Sequence, residues 1–305
     1  MLTTTLAVAL LLSQAKPDAG AAARGETAPP AAPAVTPSVA VLTLSEGFAT
    51  PESVLYDAAA DVYLVSNING TPFDKDNNGY ISVIGPDGKV GAPKFIAGGE
   101  KGVTLNAPKG LGISKGVLYV ADIDTVRMFD RKTGAPKGEV AIEGATFLND
   151  IAVDGARVFV SDSGLKAGFA PSGADAVYEL KGGKAVALAK GDDLGRPNGL
   201  CVEKGTVHVV TFGSGEHYTL DKAGKKAGAV KLPKGSLDGL IDLGKGEHLI
   251  SSWEGQAVFK VDAKGNATQV LQGLKSPADI GWDSKRKRVL VPRFEENRVE
   301  AYELK

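Results

Sequence analysis

Short paired apolar runs, glycine at 39 of 305 positions and the absence of any long stretch of helical period predict an all-β, turn-rich fold. The sharper expectation, a six-bladed β-propeller, rests on one phrase repeated six times: a turn, a short apolar strand, a polar hairpin and a second strand. The copies open as PESVLYD (Pro51), PKGLGIS (Pro108), LNDIAVD (Leu148), PNGLCVE (Pro197), LDGLIDL (Leu237) and PADIGWD (Pro277). Their second positions lie 57, 40, 49, 40 and 40 residues apart. That period suits a four-stranded blade better than a leucine-rich or helical repeat.

Taken in order, residues 1–15 read as a signal peptide, with the apolar core LAVALLL followed by the small residues Ser13 and Ala15 around Gln14. The apolar run is too short to span a bilayer, so an exported chain, periplasmic or secreted and without membrane insertion after cleavage, is expected. Residues 16–38 are rich in Ala and Pro, the composition of a disordered tether. Residues 39–305 carry the repeats. Val54 to Tyr56 pairs with Val62 to Val65, and Leu111 to Ile113 with Leu118 to Val120. The pattern recurs through Ile151, Leu200, Leu240 and Ile280, with Asp-Gly, Lys-Gly and Ser-Lys turns between partners. Asp130, Lys222 and Asp262 open further turns that close at a glycine. VAVLTL (Val39 to Leu44) and NRVEAYEL (Asn297 to Leu304) are expected to pair in one blade, closing the ring and removing its sheet edges.

Lys and Arg (35) nearly balance Asp and Glu (36), which gives no reason to expect a nucleic-acid partner or an anionic membrane surface. A monomer acting on a small molecule is expected. Cys201, the single cysteine, excludes an intramolecular disulfide and reads as a structural thiol in an apolar strand.

If the copies stack around an axis, the second positions Glu52, Lys109, Asn149, Asn198, Asp238 and Ala278 converge on it. Two carboxylates about 4 Å apart repel by roughly 4 kcal/mol at an effective dielectric near 20, so Glu52 and Asp238 need a partner. Asn149 and Asn198 add neutral hard oxygens, a set suited to Ca²⁺ or another divalent cation and poorly suited to soft metals. The competing reading is that Asn198-Gly199 and Asp238-Gly239 serve turn shape alone. Residues at the end of each second strand are expected to rim the mouth: Asn67, Asp122, Ser163, Phe212, Trp253 and Arg293. His208, His217 and His248 show no ligand spacing and read as structural or solvated. DKDNNGYIS (Asp74 to Ser82) copies the first half of an EF-hand loop, but position twelve is Gly85, so a tight polar loop is expected.

The repeat phrases resemble those of the SMP-30/gluconolactonase/LRE-like family, with paraoxonases and diisopropyl fluorophosphatase as wider relatives. The resemblance covers roughly residues 46–305, and its specific part is four turns: PESVLYD, LNDIAVD, PNGLCVE and LDGLIDL. It implies a calcium site made by Glu52, Asn149, Asn198 and Asp238, with Asp150 supporting it, and a hydrolase of the lactonase or esterase type. Phe147 stands where the family's gluconolactonases carry a substrate-binding arginine, so Phe147, Phe212 and Trp253 imply a less polar substrate than a sugar lactone. Asp238 and Asp150 are the candidate proton acceptors. Lys109 is a candidate for a developing oxyanion, or a simple partner of Asp150. The alternative is a non-catalytic, NHL-like periplasmic propeller that binds a ligand or protein.

Overall fold

In the computed structural model, which describes residues 38–304, the paired runs form six four-stranded antiparallel sheets, with a two-stranded ribbon (Leu165–Lys166 and Ala170–Pro171) inserted in the third. The signal peptide and nearly all of the tether lie outside the described residues. Blade 1 comprises Pro51–Asp57, Val62–Asn67, Tyr80–Ile84 and Val90–Ala97. The next four blades begin with Pro108–Ser114, Leu148–Asp154, Pro197–Glu203 and Leu237–Gly244 and run outward in chain order. Blade 6 takes Gly281–Asp283, Arg288–Arg293 and Arg298–Glu303 from one end of the chain and Leu42–Leu44 from the other. Leu42 lies opposite Ala301 and Leu44 opposite Val299, so the two ends meet as expected, over a shorter stretch than the sequence suggested.

The first-to-second hairpins turn where Lys-Gly predicts. Lys115-Gly116, Lys204-Gly205 and Lys245-Gly246 all have both residues at positive φ, the type I′ geometry that matches strand twist. In the outer turns an aspartate accepts backbone N–H groups: Asp130 from Lys132 and Thr133, and Asp262 from Lys264 and Asn266. The third such turn is opened by Asp221, which accepts from Ala223 and Lys225, rather than by Lys222.

Alternation along each strand gives every blade two apolar faces, and each wedge between neighbouring blades holds its own cluster. Leu64, Ile81 and Ile96 of blade 1 meet Leu111, Leu118 and Phe129 of blade 2. The ring closes with Val54, Tyr63 and Ile84 against Leu290, Val299 and Ala301. Fully burying one such side chain contributes about 1.5–3 kcal/mol, so stability is spread around the ring rather than stored in a central core. The centre is thereby left to polar groups.

Candidate functional site

Every innermost strand from blade 1 to blade 5 is irregular at the same place. Pairing with the second strand breaks between Pro51 and Val54, Pro108 and Leu111, Leu148 and Ile151, Pro197 and Leu200, and Leu237 and Leu240. The two residues inside each break have no partner on the second strand, which frees them to turn toward the axis. A serine on the second strand replaces the missing partner in three blades. Ser66, Ser161 and Ser251 Oγ accept the N–H groups of Ser53, Asp150 and Gly239 at 2.8–2.9 Å. Ser161 and Ser251 then donate to the carbonyls of Asn198 and Ala278 in the next blade, tying the ring together.

Glycine at Gly199 and Gly239 answers to close packing, not turn shape. Neither has positive φ. A Cβ on Gly199 would lie 2.2 Å from the Asp238 carbonyl oxygen, and one on Gly239 would lie 2.3 Å from the Ile280 nitrogen. Turn formation therefore does not account for Asn198 and Asp238.

The second-position side chains are buried: Glu52 is 5% exposed, Asn149 4%, Asp238 3%, Asn198 2% and Lys109 0%. Glu52 Oε2, Asn149 Oδ1, Asn198 Oδ1 and Asp238 Oδ1 are each buried without a hydrogen-bond partner. Leaving one such atom unsatisfied costs about 1–3 kcal/mol. All four are acceptors, and each stands at the second position of its repeat. Neighbouring groups aim them: Asn149 Nδ2 donates to Ser163 Oγ at 3.1 Å, and Asp238 Oδ2 accepts from Trp253 Nε1 at 2.7 Å. Two carboxylates and two amide carbonyls fit a hard divalent ion and neutralise it.

The third positions add charge that the sequence reading undercounted. Asp150 and Asp279 sit there, in blades opposite one another. Asp150 accepts backbone N–H groups from Ile151 at 2.6 Å and Leu200 at 2.7 Å. Both its oxygens are thus engaged in holding two innermost strands. Asp279 accepts from Ser53 Oγ. Burial raises all four acids, and repulsion adds to it in Glu52, Asp238 and Asp279: Glu52 goes well up beside Asp238 and Asp279, and Asp279 well up beside Asp150. Asp238 rises to about 8 and Asp150 to about 6, burial being the main cause in each.

Lys109 does not pair with Asp150. Its Nζ donates to the carbonyls of Ala107 (3.1 Å) and Pro72 (3.3 Å) and lies 4.4 Å from the Phe147 ring centre. Burial lowers its pKa, against the pull of Glu52 and Asp122.

The mouth differs from expectation by one residue in half of the blades. Ile68, Ser163, Phe212, Trp253 and Phe294 share one backbone bond, donating N–H to the carbonyl of the residue just before a repeat phrase. Asn67, Asp122 and Arg293 precede this set, so strand alternation turns them into the blade. Asn67 accepts from Ala49 N–H and donates to Ser82 Oγ; Asp122 accepts from the N–H groups of Asn106 and Ala107; Arg293 pairs with Glu300 and the Lys275 carbonyl. These three are buried loop fasteners, not substrate contacts. Phe147, Phe212 and Trp253 each contact further aromatics, three of which were not anticipated. Phe73 and Phe169 stack on Phe147, at 5.0 and 6.4 Å between centroids. Trp253 lies 5.9 Å from Phe212 and 5.2 Å from Phe294. Taking the residue one past the end of every second strand gives Phe294 in the sixth copy. At the opposite end of the channel a cavity of about 510 Å³ is lined by Tyr56, Ile113, Val153 and Val202, with Arg131 and Asp242 at its edge.

The Asp74 loop is a fastener. Lys75 pairs with Asp124, and Asn77 Oδ1 accepts from Leu105 N–H. The histidines, by contrast, do not lie apart: the ring nitrogens of His208, His217 and His248 fall within 4.8 Å of one another.

No protein-family model and no curated protein matches this chain. Among solved structures it is similar to a protein provisionally described as a gluconolactonase, at 17% identity and a TM-score of 0.64, over 86% of this chain and 91% of that one. It is similar also to a streptogramin B lyase, at 9% identity and a TM-score of 0.62, over 86% and 96%. A third likeness is to a nidogen–laminin complex, at 15% identity and a TM-score of 0.55, over 74% and 91%. At these identities the likeness is one of fold.

Proposed function

We propose that the chain is a divalent-cation-dependent hydrolase of the lactonase or esterase type, built on the SMP-30/gluconolactonase plan, with calcium the favoured ion. The observation that carries the reading is the set of four buried, unpartnered oxygens of Glu52, Asn149, Asn198 and Asp238 on the axis. The likeness to the gluconolactonase-type structure supports the choice of chemistry. When bound, the ion would supply Lewis acidity toward a lactone or ester oxygen.

The protein's own groups have the remaining roles. Trp253 holds one oxygen of Asp238, and the other, the one offered to the ion, could still accept a proton from an attacking water. Lys109 offers the nearest cation for negative charge developing on substrate oxygen. Phe147, Phe212, Trp253 and Phe294 would exclude water and favour an aryl or alkyl substrate over a hydrophilic sugar lactone. Asp150 acts through the backbone and is a positioning residue rather than a base. Export outside the cytoplasm belongs to this reading and rests on residues 1–15. A second reading, in which the ion only plugs the channel, is favoured by one observation: the axial groups are almost fully buried, at 0–5% exposure.

Calcium calorimetry on chelator-stripped protein tests the site. Binding is expected in the wild type and is expected to vanish in Glu52→Gln/Asp238→Asn. A screen of lactones and aryl esters on the calcium-loaded protein then separates the readings: turnover lost in Asp238→Ala supports the hydrolase, whereas calcium binding without turnover leaves the plug. Absence of binding in the wild type overturns both.

A further inference from the structure

The chain has three histidines, and all three meet in the wedge between blades 4 and 5. His208 lies on Thr206–Thr211, His217 on Glu216–Leu220 and His248 on Glu247–Ser252. His217 pairs with Val210 across the blade 4 hairpin, so it shares a face with His208, diagonally placed. That face is the one whose Val210 packs on Leu240 and Ile250 of blade 5. His248 lies on the same side as Ile250 and points back at the pair. The ring centres are 4.6 Å (His208–His248), 4.9 Å (His217–His248) and 5.4 Å (His208–His217) apart.

We infer that this wedge is a second metal site, in which His208, His217 and His248 bind a first-row transition-metal dication, zinc by preference. Two further observations point to a ligand. His248 is 2% exposed, and its Nε2 has no hydrogen-bond partner although two other imidazoles surround it. Glu203 and Asp242, one from each blade, place carboxylate oxygens within 4.8 Å of a His248 nitrogen and of each other. Carboxylates therefore line the same wedge beside His248.

The distances suit a metal with small side-chain adjustments. Nitrogens bound at 2.0–2.1 Å in a tetrahedron are about 3.3 Å apart, and His208 Nδ1 already stands 3.2 Å from His217 Nε2. A simple hydrogen bond between those two nitrogens would satisfy only that pair and leave His248 as it is. The chemistry also separates this site from the axis: imidazole donors select zinc, copper or nickel, and the axial oxygens select calcium. Burial holds all three imidazoles below their ordinary value, His208 at about 4 and His217 at about 3, so at neutral pH they carry lone pairs rather than extra protons. A metal here would bridge blades 4 and 5, the pair that supplies Asn198 and Asp238.

The test uses the full chain, purified without a polyhistidine tag and stripped with chelator. One equivalent of Co²⁺ is expected to give the visible d–d bands of a tetrahedral nitrogen-rich site, and Zn²⁺ is expected to displace it at one-to-one stoichiometry. The bands should persist in Glu52→Gln/Asp238→Asn, which removes the axial donors. His208→Gln/His217→Gln changes two partly exposed positions and should weaken Zn²⁺ binding by at least about 100-fold, with circular dichroism unchanged. His248→Asn is the buried counterpart and should behave alike if it folds. Absence of Co²⁺ bands and of stoichiometric Zn²⁺ binding in the wild type would overturn the assignment, as would binding that survives the double histidine variant.

Discussion

The axial residues behave as a group because each carries a charge or lone pair that the others cannot satisfy. In metal-free protein Asp238 holds its proton up to about pH 8, whereas an unfolded aspartate releases it near 4. Between those values the folded state binds more protons, so stability falls as pH rises through the window. Thermal denaturation in chelator at pH 5, 6.5 and 8 should show that decline, and saturating calcium should flatten it. Asp238→Asn makes the complementary point: without metal it should be more stable than the wild type at pH 8, yet gain nothing from calcium. Lys109→Met removes a buried cation beside the donors and should tighten calcium binding about tenfold, roughly 1.4 kcal/mol, read by calorimetry. The repeat phrases disclosed the second positions, since their spacing alone aligns them. Asp279 escaped because its copy, PADIGWD, shows alanine at that position and the carboxylate one place later. The histidines escaped because separations of 9 and 31 residues conceal a meeting across a hairpin and a blade boundary.

Strands and their turns explain how such residues are presented. The bulge in each innermost strand was not visible in the apolar pattern, which reads through it as regular alternation. Its signature was the serine at the penultimate position of the second strand: Ser66, Ser161 and Ser251. Ser161→Ala and Ser251→Ala should each destabilise the protein by about 1–3 kcal/mol, since a buried N–H and a neighbouring carbonyl both lose their partner. Chemical denaturation measures the loss, and calcium affinity should fall with it. Gly239→Ala should be worse, because the clash is with backbone in the next blade. The mouth was misplaced for a related reason. One residue of register exchanges an inward side chain for an outward one, so Asn67, Asp122 and Arg293 looked like rim residues while the residues after them, Ile68, Ile123 and Phe294, share an apolar cluster with Ala107.

Six wedges of similar apolar content, joined at blade 6 by Leu42–Leu44, make a ring with no weakest seam except the closure itself. Architecture was readable because the signals repeat: six phrases, regular spacing and complementary end strands all state one arrangement. Removing residues through Leu44 should leave Arg298–Glu303 as an open edge. The truncated protein is expected to melt at lower temperature and to associate through that strand, which light scattering would detect.

The axial side chains stand on residues without a partner on the second strand of their own blade. Exchanging one for another breaks no strand pairing, so the chemistry at the centre can be rewritten while the frame around it is inherited intact. A lineage built this way can drift through many activities on a single backbone. For a designer, the same five positions are the natural place to graft a different ion or none, with the serine fasteners and packed glycines left untouched.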